Sequence, residues 1–312
     1  FAVGDRLRIE NEQIDVANIS GNTLTVVRGV AGTTNSAHGI GTVVLPTTGG
    51  NNGRGVSVFL DERSTIEDLL IANNVIANQA DDGIRFRREG DAETRTFNPH
   101  DGQSRAVSVI ANSIIANARN PSADAQGVTG APNVLSGGIE VQALNGGQDS
   151  FDIEITGNDI LAHRTGSASV NGINLRAEAD ALILADIVDN VIRFNIDDGI
   201  NTTDRNQSTD DRDIFATILK NNISDNDGNG IEFNTSTGGQ QVVVIGLSGI
   251  DPVDGRFYGN NISNNGQAGI LVNSGAGGSR ISIAGNTINE NGQITATAGS
   301  DLVNRSNTNA LG

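Results

Sequence analysis

Asn190-Val191-Ile192-Arg193-Phe194-Asn195-Ile196-Asp197-Asp198-Gly199-Ile200 returns one period later as Asn221-Asn222-Ile223-Ser224-Asp225-Asn226-Asp227-Gly228-Asn229-Gly230-Ile231. The shared phrase is an asparagine, an aliphatic residue one or two positions on, a polar stretch, and Gly-Ile opening a new alternation. The same wording runs from Asn73-Asn74-Val75-Ile76-Ala77-Asn78 to Gly83-Ile84, from Asn112-Ser113-Ile114 to Gly138-Ile139, and from Asn158-Asp159-Ile160 to Gly172-Ile173. It recurs from Asn260-Asn261-Ile262 to Gly269-Ile270, and Asn286-Thr287-Ile288 opens a last copy that lacks its Gly-Ile, giving six complete copies and one truncated. Self-similarity at a few tens of residues is the mark of stacked repeats.

Within each copy the strands are short and alternate with period two, as in Phe151-Asp152-Ile153-Glu154-Ile155 and Ile281-Ser282-Ile283. A strand of three to five residues cannot bury its apolar face alone, but equivalent strands stacked from successive copies bury a continuous core and pair their backbones laterally. The expected fold class is therefore all-β, a parallel β-helix of about eight coils. Asparagine and glycine suit its corners, because both tolerate left-handed dihedrals and stacked asparagine amides bond along the coil. That accounts for 38 asparagines.

Measured at Asn74, Asn112, Asn158, Asn190, Asn222, Asn261 and Asn286, the period runs 38, 46, 32, 32, 39 and 25 residues. The excess is assigned to insertions at 87–105, 119–136, 202–213 and 246–256, all polar or rich in glycine, proline and charge. Residues 1–50 lack the phrase. They read as a small β-module of strands at 5–10, 13–19 and 23–28, with Ser20-Gly21-Asn22 as a turn, placed to cap the coil or to mediate assembly. Residues 51–300 form the β-helix and 301–312 a polar tail. A chain opening on Phe1 is expected to be processed, a fragment, or lacking a leader.

The composition narrows the function. With 37 acidic against 20 basic residues the formal charge is -17, which repels phosphate backbones and predicts no nucleic-acid partner. Purely apolar runs such as Val242 to Ile245 fall far below the roughly 20 residues that span a bilayer, so no membrane insertion is expected. The absence of cysteine excludes disulfide scaffolds and thiol chemistry. With no tryptophan and one tyrosine, aromatic sugar platforms are scarce, and Phe86, Phe151 and Phe233 are expected in the core.

The Asn-x-Ile and Gly-Ile phrases resemble the right-handed parallel β-helix repeats of the pectate-lyase-like superfamily over about residues 51 to 300. The resemblance, with the crossover rule, implies the right-handed sense. It does not imply one activity, because that architecture serves lyases, hydrolases, epimerases, tailspikes and adhesins. In the N-terminal module, the segment from Gly21-Asn22-Thr23-Leu24 through Gly32-Thr33-Thr34 to His38-Gly39 resembles a β-module of phage structural and bacterial surface proteins, which implies assembly.

Two segments carry candidate chemistry. Asp225-Asn226-Asp227-Gly228-Asn229-Gly230 matches the first half of a calcium loop, with Asp225, Asp227 and Asn229 as oxygen ligands, although Ser236 stands where a bidentate glutamate belongs. Calcium is thus the one cofactor the sequence offers, and none is required. Asn98-Pro99-His100-Asp101, followed by Arg105, resembles the Asp-Pro-His-Asp core of mannuronan C5-epimerases. That resemblance implies His100 as general base, Asp101 beside it and Arg105 neutralising a uronate. Asn98 departs from the pattern, and Tyr258, the lone tyrosine, lies several coils away. Paired carboxylates for hydrolysis are not singled out among so many aspartates.

The expectation is an extracellular or cell-surface structural or adhesive protein whose partner is itself, joined head to tail in a filament or layer. A polysaccharide-modifying enzyme of the uronate epimerase or lyase type, with polysaccharide as partner, is the alternative. A phage tail fibre or spike is the second.

Overall fold

The computed structural model describes residues 6–9, 12–21, 23–29, 34–37, 44–46, 54–60, 64–77, 79, 82–89, 93–95, 105–115, 136–144, 150–161, 170–178, 181–204, 212–235, 240–273, 279–296 and 301–304. The chain divides into two compact units, Phe1–Asn52 and Gly53–Gly312.

The first unit is an antiparallel sheet of Arg6–Ile9, Glu12–Ser20, Thr23–Arg28 and Val44–Pro46, in the order third, second, first, fourth. Gly21, at φ 56°, turns the hairpin between the second and third strands. Ile14 and Val16 are buried beneath Ile9, Ile19, Leu24 and Val26. A buried carboxylate pins the segment that follows: Glu12 accepts from Arg28 Nε at 2.9 Å, Gly29 N at 3.1 Å and Ser36 N at 3.0 Å. The sequence reading missed the fourth strand, since three residues ending in proline carry no readable alternation.

In the second unit three parallel sheets wind around one core. Sheet 1 stacks Val56–Leu60, Ile84–Glu89, Ser136–Leu144, Val170–Ala177, Ile200–Asp204, Ile231–Thr235, Ala268–Asn273 and Gln293–Ala296. Sheet 2 stacks Leu69–Ala72, Val107–Ile110, Ser150–Thr156, Leu182–Val188, Arg212–Leu219, Gln240–Ile245, Arg280–Ile283 and Asp301–Asn304. Sheet 3 stacks Val75–Ala77, Ser113–Ile115, Asp159–Leu161, Val191–Arg193, Asn222–Ser224, Asn261–Ser263 and Thr287–Asn289. One strand of each sheet makes a coil, so the described residues form seven full coils and an eighth with two strands. This is an all-β parallel β-helix. Residues 301–304, read from sequence as tail, pair in parallel with Arg280–Ile283 and carry sheet 2 past residue 300.

The register explains why such short strands hold. Ile76, Ile114, Ile160, Ile192, Ile223 and Ile262 lie in register down sheet 3, all buried. Ile84, Ile139, Ile173, Ile200, Ile231 and Ile270 do the same in sheet 1. Each isoleucine so buried contributes about 2 kcal/mol that a lone strand could not capture. Phe86, Phe151 and Phe233 are core residues, the first two with ring centroids 5.7 Å apart. The two halves of the repeated phrase touch one another: a Cβ on Gly199 would lie 2.5 Å from Ile223 Cγ2 and 2.7 Å from the Gly230 carbonyl oxygen. Gly-Ile therefore recurs because the coil closes there upon the isoleucine of Asn-x-Ile.

Three polar ladders tie the corners. At the corner between sheets 2 and 3, Asn74, Asn112, Asn158, Asn190, Asn221, Asn260 and Asn286 stack, each Oδ1 accepting the backbone N–H and Nδ2 of the preceding asparagine at 2.8–3.0 Å. The steps are 38, 46, 32, 31, 39 and 26 residues. This corrects two markers of the sequence reading: Asn221 and Asn260 stand in the buried ladder, whereas Asn222 and Asn261 are exposed on sheet 3. After sheet 3, Asn195, Asn226, Asn265 and Asn291 form a second ladder with the same bonds. At the entrance to sheet 1 the direction reverses. The side-chain oxygens of Asp82, Asn171, Asp198 and Asn229 accept N–H groups of Gly137, Asp198, Asn229 and Ala268 in the following coil.

The left-handed residues are not the stacked asparagines but those just before them. Asn73, Ala111, Asp189 and Lys220 precede the first ladder, and Phe194, Asp225, Asn264 and Glu290 the second, with φ between 52° and 61°. Asparagine is abundant chiefly because its amide both donates and accepts between coils.

Candidate functional site

On sheet 1 the side chains alternate between core and outside, and the outward row is polar. In register it runs Arg85, Glu140, Asn174, Asn201 and Glu232, with a second row Arg87, Gln142, Arg176, Thr203, Asn234 and Asn273 two residues on. Glu140, Asn174 and Asn171 are nonetheless fully buried, as is Asp198 of the adjoining ladder. Buried polar groups away from the core must be satisfied by one another or by something bound.

The row resolves into two networks. In the first, Arg85 Nη2 donates to Gln142 Oε1 at 2.7 Å and Arg85 Nε lies 3.8 Å from Glu140 Oε2, while Gln142 Nε2 donates to Glu140 Oε1. In the second, Asp198 Oδ1 accepts from Asn229 N at 2.7 Å and Nδ2 at 3.0 Å, and its Oδ2 accepts from Asn201 Nδ2 at 3.0 Å. Glu232 accepts from the amides of Asn229, Asn234 and Asn273 at 2.9–3.1 Å. Burial pushes the Asp198 carboxyl well above the usual carboxylate range, and a hydrogen bond with Glu232 and the nearby charge of Asp197 push it further. Asp198 and Glu232 thus lie in one ring of amides, with the Asn229 amide donating to both.

This pair is what sequence reasoning missed. Asp197-Asp198-Gly199 reads as a repeated turn, in the same wording as Asp81-Asp82-Gly83. The available signal was a carboxylate one residue before Gly-Ile and another, Glu232, one residue after the next Gly-Ile; only the stacking register brings them together.

Of the candidates read from sequence, Asn229 alone among the described residues joins these networks. His38, His100 and Asp101 lie outside the described residues. Arg105 is committed to two carboxylates of sheet 2, with Nε 2.7 Å from Asp186 Oδ2 and Nη1 2.7 Å from Asp152 Oδ1, so it clamps three successive coils. The three calcium-loop residues do different things: Asp225 holds a left-handed corner at φ 56°, Asp227 is exposed, and Asn229 belongs to the network around Asp198 and Glu232. Among the described residues no group of three or more histidine and carboxylate side chains could hold a metal ion. No described helix is long and apolar enough to cross a membrane.

No protein-family profile, curated protein or solved structure matches the chain.

Proposed function

We propose that the chain is an extracellular or cell-surface structural or adhesive β-helix protein that associates with itself end to end, head to tail. The observation that carries this reading is the directionality of the ladders. In the first, each asparagine from Asn112 to Asn260 donates its backbone N–H and one amide hydrogen to the Oδ1 of the asparagine in the following coil, and its own Oδ1 accepts from the preceding one, while the amide also donates to a backbone carbonyl of the preceding coil. One end of such a stack therefore presents donors and the other acceptors, in the same lateral arrangement, so two copies meet as successive coils do. A contact of this kind is heterologous, and repetition generates a filament unless it closes into a ring. The grouping with the pectate-lyase-like superfamily belongs to this proposal; three parallel sheets and an asparagine-stacked corner support it. The uronate epimerase or lyase alternative draws on His100, Asp101 and Arg105, and the commitment of Arg105 to Asp152 and Asp186 weighs against it.

Negative-stain electron microscopy of the purified chain at two concentrations, with and without a calcium chelator, tests the reading. Filaments that lengthen with concentration support it, and their loss on chelation makes a bound divalent cation part of the contact. Discrete rods at both concentrations sink it. Rods that turn over a uronate polymer, with loss of turnover in His100→Ala, establish the enzyme instead.

A further inference from the structure

Between the sheet 2 strand Gln240–Ile245 and the sheet 3 strand Asn261–Ser263, the chain makes an excursion that folds back along the side of the coil. It is closed upon itself: Ile250 and Phe257 form an antiparallel bridge, Asp251 N donates to Arg256 O at 2.8 Å, and Gly255 N donates to Asp251 O at 2.8 Å. Each charged side chain of the excursion helps to hold it. Asp251 accepts from Lys220 Nζ and from Val253 N, and Asp254 accepts from Lys220 Nζ and from Arg256 N. Arg256 bridges Asp254 and Asp189, so the excursion is tied to the two preceding coils. What it turns to solvent is apolar: Val253 is 91% exposed, Phe257 69% and Ile250 55%.

Single exposed apolar side chains are ordinary, but three on one short excursion make a patch of the size that marks an interaction site. A segment that only joins two strands needs no such clamp. Held in place beforehand, these side chains lose little freedom when something covers them. The charges define what does. Lys220 and Arg256 are engaged, which leaves no free cation for a phosphate group or an acidic partner, and Asp189, Asp251 and Asp254 are engaged as well, which leaves no free carboxylate to select a basic one. These two bases and three acids carry a local charge of -1 in a chain of -17. Such a chain repels its own copies, and least where opposite charges are already paired. The patch also complements itself. An apolar bridged pair with an apolar residue at the turn between them receives the same elements from a second copy, Val253 of each lying on Ile250 and Phe257 of the other.

We propose that the excursion at 250–257 is a self-association surface through which two copies pair side by side about a two-fold axis. Two such patches bury less than the roughly 1,200 Å² of a stable complex, so the pair is weak and reversible. The contact uses no group at either end of the asparagine ladders and is separate from end-to-end assembly.

The chain has no cysteine, so a single one reports on one position. Val253→Cys, treated with a short bis-maleimide, should give covalent dimer at least about fivefold faster than Val75→Cys, which is 76% exposed on the first coil. Adding Phe257→Asp to Val253→Cys should remove that advantage, because each copy then brings an unpaired carboxylate to the apolar contact. Added sodium chloride should raise the yield by screening the repulsion between copies. Equal rates for the two cysteines overturn the proposal, as does an advantage that survives Phe257→Asp. Phe257 is exposed, so its replacement should leave the far-ultraviolet dichroism unchanged; if it does not, Ile250→Asp takes its place. Filaments that still form in Phe257→Asp, or dimers that form where no filament does, tell the side contact from the end contact.

Discussion

Asn190 shows how much one side chain carries in this architecture. Its Nδ2 donates to Ile155 O at 2.8 Å and Asn221 Oδ1 at 2.9 Å, and its Oδ1 accepts from Asn158 N at 2.9 Å and Nδ2 at 3.0 Å. Asn190→Ala strands these partners in a buried corner and should cost about 3 kcal/mol in urea unfolding, whereas Asn74→Ala, at the exposed start of the ladder, should cost less than about 1 kcal/mol. Asp198 makes a different prediction. Its folded pKa stands above its unfolded value, so its contribution is full below the ordinary carboxylate range and is lost as pH rises toward the raised value. Asp198→Asn imitates the protonated carboxyl, as Asn171 and Asn229 already do in the same ladder. Its melting temperature should equal that of the wild type in acid and exceed it at neutral pH; a variant less stable at neutral pH refutes the upward shift of Asp198.

At the scale of elements, the closure of sheet 1 on sheet 3 depends on a glycine in each repeat. Gly199→Ala drives a methyl group against Ile223 and the Gly230 carbonyl and should cost about 2 kcal/mol in chemical unfolding, with no change of net charge to explain it. The insertion after sheet 2 of the sixth coil is held by ionic contacts instead of packing. Lys220 Nζ lies 2.5 Å from Asp251 Oδ2 and 2.7 Å from Asp254 Oδ2, and it sits over the Tyr258 ring. Arg256 grips Asp189 through two bonds of 2.6 and 2.7 Å, while Ile250, Val253 and Phe257 remain exposed. Hydrogen bonds from Lys220 hold the Asp251 and Asp254 carboxyls below the usual carboxylate range. Depressed values mean that the clasp is intact above that range and is lost only as pH falls through the lowered values. Limited proteolysis at neutral pH should therefore cut Lys220→Ala at 250–257 faster than the wild type, with the far-ultraviolet dichroism unchanged. Wild-type chain should show the same loosening only in stronger acid than ordinary carboxylates need.

For the whole molecule the governing quantity is charge. A net -17 over 312 residues opposes compaction by self-repulsion, and added salt screens it. The melting temperature should rise by several degrees between low and about 0.5 M sodium chloride, where the screening length falls to a few ångströms. A melting temperature indifferent to salt would show that cross-coil pairs such as Arg105 with Asp152 and Asp186 already balance the surface. The proposed end-to-end association should gain from salt for the same reason, because each copy would bring the same excess of negative charge to the contact.

The repeated Asn-x-Ile and Gly-Ile phrases by themselves determined the parallel coil, its approximate number of turns and the aliphatic columns of the core. They could do so because a strand of three residues is stable only when its equivalent recurs at each period. What only the tertiary structure decided is which of two adjacent asparagines is buried, as with Asn221 against Asn222, since a change of one position moves a side chain between the ladder and the solvent. Only the register of sheet 1 brought Asp198 to Glu232. Residues a full coil apart become neighbours when insertions of unequal length are taken up at the corners, and no spacing in the chain records that. The site is accordingly the least legible part of this sequence, because stacking, which fixes the fold from local pattern, joins the polar groups of the site from different coils.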